Sequence, residues 1–216
     1  MARSYNSLTG DEIVRKIRGK NRTILFGCIM GFLAVAALAA YLLYMTATEH
    51  QYLYAILGLL LCALFAYVLA ITLKKAIGVL KDPTRARVFR KYGTPDQIAA
   101  TIAAGADNVL LGSGKALITE KFIMKHNDFE SYIPFTDVLL VYRKESSTNG
   151  IPTGVFFVVH DVYGDSFEYP FKMGKKHKDE MVDIMKHIHE LSPQAAFGYT
   201  KPNLDYAKTH IKPLPQ

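Results

Sequence analysis

Ile24–Met45, ILFGCIMGFLAVAALAAYLLYM, and Tyr52–Leu73, YLYAILGLLLCALFAYVLAITL, are each 22 residues long and carry no charged side chain. At a helical rise of about 1.5 Å per residue each reaches about 33 Å, enough to cross a hydrocarbon core about 30 Å thick. Two buried helices of a soluble core would show a polar stripe, and neither segment has one. A cleaved signal sequence has a shorter apolar stretch than Ile24–Met45, and here a second stretch follows at once. The two segments therefore predict two membrane spans, the first retained as a signal anchor.

Only Thr46–Gln51 (TATEHQ) separates them, so the spans form a hairpin whose ends leave the bilayer on one side. Ahead of the first, Arg3, Arg15, Lys16, Arg18, Lys20 and Arg22 stand against Asp11 and Glu12, a net charge of +4. Behind the second, Lys74, Lys75, Lys81, Arg85, Arg87, Arg90 and Lys91 stand against Asp82, a net of +6, while the loop holds only Glu49. Lys and Arg favour the cytoplasmic side, so both termini are expected in the cytoplasm and the loop outside, in a multi-pass protein of the cell membrane. Tyr41, Tyr44, Tyr52 and Tyr54 flank the loop where an interfacial aromatic belt belongs.

The whole chain carries +7, which leaves −2 for residues 92–216. The basic excess is juxtamembrane, which argues against nucleic acid as a partner and for the lipid surface. Arg15, Lys16, Arg18, Lys20, Arg22, Lys74, Lys75, Lys81, Arg85 and Arg87 are the candidate lipid-surface contacts. They serve either as a solvated topology signal or as recognition of anionic lipid.

Residues 1–23 form the first segment. Within it, LTGDEIVRKIRGKNR (Leu8–Arg22) has Thr9 and Glu12 at capping-box spacing, and Ile13, Val14 and Ile17 fall opposite the basic residues. This predicts a short amphipathic helix on the inner leaflet, or a direct extension of the first span. In the hairpin, residues 24–73, Gly27 and Gly31 make a G-x-x-x-G, and Gly58, Cys62, Ala66 and Ala70 put a small residue at every fourth position. Such faces let helix backbones approach, either within the hairpin or between two copies in a homodimer. Neither span contains Asp, Glu, Lys, Arg or His, which disfavours an ion path. Cys28 and Cys62 differ in depth by about 10 Å and are not expected to bridge.

Residues 74–105 read as a helical linker. Pro83 suits a first turn, Gly93 a stop, and Thr94-Pro95-Asp96 a restart running to Gly105. Beyond it, residues 106–192, the period changes to that of strands: Val109–Leu111, Ala116–His126, Tyr132–Lys144, Gly154–Val162 and Ser166–Phe171, separated by turn formers. Then comes MVDIMKHIHEL, Met181–Leu191, whose Met181, Ile184, Met185, Ile188 and Leu191 form a helical apolar stripe. His187 and His189 are two apart, point about 200° from each other, and cannot hold one metal ion together. The expected architecture is an α+β membrane protein in which a transmembrane helical hairpin precedes an antiparallel sheet or partial barrel closed by a C-terminal helix. Residues 193–216 are expected to run over the surface and fray.

The run ITEKFIMKHNDFESYIPFTDVLLVYRK, the hairpin ending GDSFEYPF and the charged helix behind it resemble bacterial PH-like domains. With the two spans, the segment KYGTPDQIAATI and the tail LSPQAAFGYT, the chain over residues 24–200 resembles an uncharacterised family of bacterial two-span membrane proteins with a cytoplasmic PH-like domain. The resemblance implies a fold and a membrane topology rather than an activity.

No chemistry-bearing motif is complete. Gly112-Ser113-Gly114-Lys115 lacks the first glycine and the Ser/Thr of a phosphate loop, since Val109 and Ala116 stand there. His126, His160 and His177, with Asp161 beside His160, are spread along the chain, so an enzyme with a spatially assembled His/Asp site is the least favoured reading. No cofactor or metal is expected. Phosphoinositide-binding PH domains carry Lys and Arg in the loop joining their first two strands; the matching His126–Ser131 has two acids and neither Lys nor Arg. The favoured expectation is a membrane-tethered, non-enzymatic scaffold or sensor. Its PH-like domain would bind a protein partner at a sheet edge or in a groove beside the closing helix.

Overall fold

A computed structural model describes residues 5–49, 52–106, 109–111, 116–148, 151–171 and 175–215. Gly112–Lys115, the phosphate-loop-like tetrapeptide, lies outside them. The chain divides into two compact units, residues 15–85 and residues 1–14 with 86–216.

The first unit is an antiparallel pair of long helices, α1 (Gly10–Glu49, which begins in the other unit) and α2 (Tyr52–Lys81). The charged start of α1 and its apolar remainder form one uninterrupted helix, so residues 10–23 extend the first apolar stretch instead of forming a separate helix. Thr9 accepts a bond from the Glu12 amide at 3.3 Å, which starts the helix where the capping-box spacing places it. Both helices contain stretches long and apolar enough to cross a bilayer, and only 6% of each such stretch is buried. Helices from a soluble core would be mostly covered by protein; these present their apolar surface outward. After α2, Asp82 accepts from the Thr84 amide at 3.1 Å and hydroxyl at 2.6 Å, and a single 3₁₀ turn, Pro83–Arg85, ends the unit.

The second unit is α+β. Ala86 leads into α3 (Arg87–Tyr92), which stops at Gly93 with φ 107° and ψ −166°, a conformation open essentially to glycine alone. Thr94 then caps α4 (Pro95–Gly105): its hydroxyl accepts from the Gln97 amide, and the Gln97 side chain accepts from the Thr94 amide at 2.9 Å. Strands β1 (Val109–Leu111), β2 (Ala116–Thr119), β3 (Phe122–Lys125) and β4 (Asp128–Pro134) form one antiparallel meander. A second sheet has the order β7 (Ser166–Phe171), β6 (Ile151–Asp161), β5 (Val138–Thr148), β8 (Ala196–Phe197). Helix α5 (Lys175–Leu191) precedes β8, and α6 (Lys201–Thr209) follows it.

Two predicted strands are each divided. Ala116–His126 breaks after Thr119, whose hydroxyl accepts the amides of Lys121 and Phe122 at 3.2 Å and so competes with the ladder. Tyr132–Lys144 is interrupted by a 3₁₀ turn at Phe135–Asp137, where Phe135 is buried and its amide donates to the Lys121 carbonyl. His126–Ser131 is correspondingly no open loop: His126-Asn127 form the β3–β4 turn, with Asn127 at φ 61°, and the rest is strand.

No closed barrel forms. One core joins the two sheets through Ile118, Ile123 and Ile133 on one side and Val141, Phe157, Val159 and Tyr169 on the other. Ile184 and Ile188 of α5 complete it, so MVDIMKHIHEL packs its stripe on both sheets. Tyr169 stacks on Phe157 and donates its hydroxyl to the Ser131 carbonyl at 3.0 Å, a direct tie between the sheets. Residues 193–215 carry regular structure that was not expected of a surface tail. β8 pairs in parallel with β5, and Thr200 caps α6 with a proline in its first turn.

Candidate functional site

The site begins on α3. A spacing of four residues puts Arg87 and Lys91 on one helical face. That face meets the turn between β6 and β7, which carries Asp161 and Asp165. The Arg87 Nε lies 2.8 Å from Asp165 Oδ2, and its Nη2 donates to the Tyr163 carbonyl. The Lys91 ammonium, 2% exposed, is hydrogen-bonded to the carboxylates of both Asp161 and Asp165. Tyr92 donates to Asp161 Oδ2 at 2.8 Å, while Asp161 Oδ1 accepts the amides of Tyr163 at 3.0 Å and Asp165 at 2.9 Å. Both oxygens of a wholly buried carboxylate are thus satisfied. The rings of Tyr92, Tyr163 and Phe167 surround the ammonium at 5.6–5.9 Å.

Beside this network opens a cleft of about 770 Å³. Arg90, Tyr92, Thr101, Tyr132, Asp137 and Pro215 contribute to its walls. Tyr132 meets Tyr92 edge to face with centroids 5.5 Å apart. Burial pushes the Tyr132 phenol up to about 12, against a bond from Thr101. Burial, then the Asp161 charge, push Tyr92 well above the ordinary phenol range. Asp137 is half-buried, and burial raises its carboxyl despite the opposing charge of Lys212. Among the described residues no hydrogen bond reaches its carboxylate. The phenols stay protonated and Lys91 is engaged, so the cleft offers aromatic faces, hydroxyl donors, one carboxylate and the exposed Arg90. That is chemistry for recognition.

A smaller cavity of about 410 Å³ lies between Lys125, His126 and Asp128 and the strand residues Phe156, Glu168 and Pro170. Nearby, Tyr5 is buried against the β3–β4 turn: its hydroxyl lies 3.1 Å from His126 Nδ1 and accepts the Asn127 amide at 3.1 Å, and its ring meets Phe129 edge to face. Gly10 lies against α4, where an added Cβ would come within 2.9 Å of the Asp96 nitrogen. The second unit therefore holds the chain on both sides of the apolar hairpin in sequence, through Tyr5 before it and Lys91 after it.

Of the proposed lipid-surface residues, Arg15, Lys16, Arg18, Lys20 and Arg22 are exposed along α1, and Lys74, Lys75 and Lys81 along α2. Arg85 is exposed but paired with Asp82 at 3.2 Å, and Arg87 is exposed but committed to Asp165. Of the helix-packing residues, Gly31 lies against Leu69 and Gly58 against Leu42, with an added Cβ meeting those side chains at 3.1 Å and 2.5 Å. Cys62 is buried and Ala66 half-buried, whereas Gly27 faces open space and Ala70 is exposed. Both cysteines are free. Over Leu140 and Val141 the edge of β5 is occupied by β8. Sequence reasoning placed Lys91 among juxtamembrane charges and missed the cleft. The four-residue spacing of Arg87 and Lys91, and of Asp161 and Asp165, was the available signal.

Fold and site define an α+β protein with an apolar two-helix hairpin and a mixed aromatic and ionic cleft. Compared with family models, with curated proteins and with solved structures, the chain matches none.

Proposed function

We propose that this is a membrane-anchored, non-enzymatic scaffold or sensor whose soluble unit binds a protein partner in the cleft. In this reading the apolar hairpin crosses the bilayer twice, with both flanking segments in the cytoplasm. The observation that carries it is the cleft itself, with its aromatic faces, hydroxyls and exposed Arg90, on an α3 that the chain joins to the end of α2 by only residues 82–86. A partner held there is held at the membrane. A PH-like classification is supported by element order, a four-stranded meander, then β5–β7 as a second meander, then a helix closing on both. Tyr5 covers the turn corresponding to the phosphoinositide loop, which favours a protein over a headgroup at that place.

The test is a photo-crosslinking residue at Arg90, at the cleft, compared with one at Thr153, exposed on β6. A discrete protein adduct from the Arg90 position, lost on Tyr132→Ala, is expected. Identical adducts from both positions would sink the reading. A second reading, recognition of anionic lipid, rests on the exposed bases of α1 and α2. It predicts binding to phosphatidylserine vesicles that weakens when Lys74, Lys75 and Lys81 are changed to Gln.

A further inference from the structure

We infer that the cleft binds an extended, proline-containing segment bearing a basic residue, and that the chain's own Lys212–Pro215 occupies one end of it as a tethered competitor. The inference rests on the cleft being a protein-docking site and specifies its ligand.

Four observations converge. The Val162 amide donates to the Asp137 carbonyl at 2.9 Å, and the Lys212 amide to the Val162 carbonyl at 2.6 Å, so two backbone rungs connect Lys212 to Asp137. Lys212 is the foremost charge opposing the burial of the Asp137 carboxyl. Pro215 contributes to the cleft wall, along with Pro134, Tyr92 and Tyr132. The segment Lys212-Pro213-Leu214-Pro215 cannot continue α6, and alternating prolines favour the extended left-handed helix that aromatic grooves accept.

A purely structural strap would bury apolar side chains. Here Lys212, Pro213 and Pro215 are exposed, Leu214 is half-buried, and Ile211 is 50% exposed. The preceding α6 is anchored independently by Ala207, Leu204 and Tyr206. The segment is therefore weakly held but permanently near. An intramolecular occupant at an effective concentration of about millimolar excludes weak ligands and yields to stronger ones.

The probe is a fluorescein-labelled synthetic peptide copying Thr209–Pro215, titrated against the full chain in lipid nanodiscs. The Lys212→Glu/Pro215→Ala chain is expected to bind it at least tenfold tighter than the unchanged chain. Adding Asp137→Asn should remove that gain. Equal affinities for the released and unchanged chains, at equal unfolding midpoints, overturn the inference. If the released chain does not fold, hydrogen exchange on the unchanged chain decides. Excess peptide should speed exchange at the Lys212 amide, and an unaltered rate overturns the inference. A protein adduct at Arg90 without peptide binding sinks this inference and leaves the docking reading standing. Identical adducts from Arg90 and Thr153 with no peptide binding sink both.

Discussion

Asp161 accepts four hydrogen bonds, two from amides of its own turn and two from side chains of α3, and their loss has unequal consequences. Asp161→Ala leaves the Lys91 ammonium buried beside Asp165 alone and frees two turn amides; breaking such a pair costs about 3–5 kcal/mol. Lys91→Met leaves Asp161 with both amides and the Tyr92 hydroxyl, and Asp165 with Arg87, so its cost is expected to be the smaller one. Denaturant unfolding of the full chain in micelles ranks the two. Asp137 behaves oppositely. Burial raises its folded carboxyl above the unfolded value, so the folded chain holds that proton to higher pH. Stability then falls as pH rises through the interval between the unfolded and raised values, and the loss persists above it. Asp137→Asn is expected to unfold at a higher temperature than the parent at pH 7, with the difference vanishing below about pH 3.9, where the unfolded carboxyl is protonated too. Neither role was legible locally. Lys91 reads as one more basic residue after a span, and its partner lies 70 positions away.

Capping chemistry was the most legible part of the elements, because it is written within four residues. Thr94-Pro95-Asp96-Gln97 predicts the start of α4, and both reciprocal bonds are present. Thr94→Ala is expected to cost about 1 kcal/mol of stability, read as an earlier denaturant midpoint with an unchanged slope. Gly93→Ala is expected to cost about 1–3 kcal/mol, because its backbone lies where a Cβ is strained. Strand boundaries were less legible. Alternation continues through Thr119 and through Phe135, and what breaks each strand is a local bond that periodicity does not register. The tail was misjudged for a related reason. Its prolines read as breakers, whereas one of them sits in the first turn of α6 behind the Thr200 cap.

For the whole molecule, the two apolar helices were evident from length and charge alone, but which small residues face the neighbouring helix was not. A four-residue ladder drifts around a helix of 3.6 residues per turn, so the ladder that is packed at Gly58 has left that face by Ala70. Gly31 and Gly58 meet leucines while Gly27 meets nothing within 4 Å. Gly58→Ile is expected to force the helices apart and lower the unfolding temperature of the chain in micelles, and Gly27→Ile to leave it unchanged. The arrangement of the second unit was only partly legible, since its core is shared by strands and a helix from distant stretches. The Tyr5 contact also bears on how the protein is made. Tyr5 leaves the ribosome before both apolar helices, and its partner His126 follows 121 residues later. At about 5–20 residues per second that is a wait of about 6–24 s. Throughout it that contact is unmade, so both apolar helices are synthesised before the segment ahead of them can be fastened.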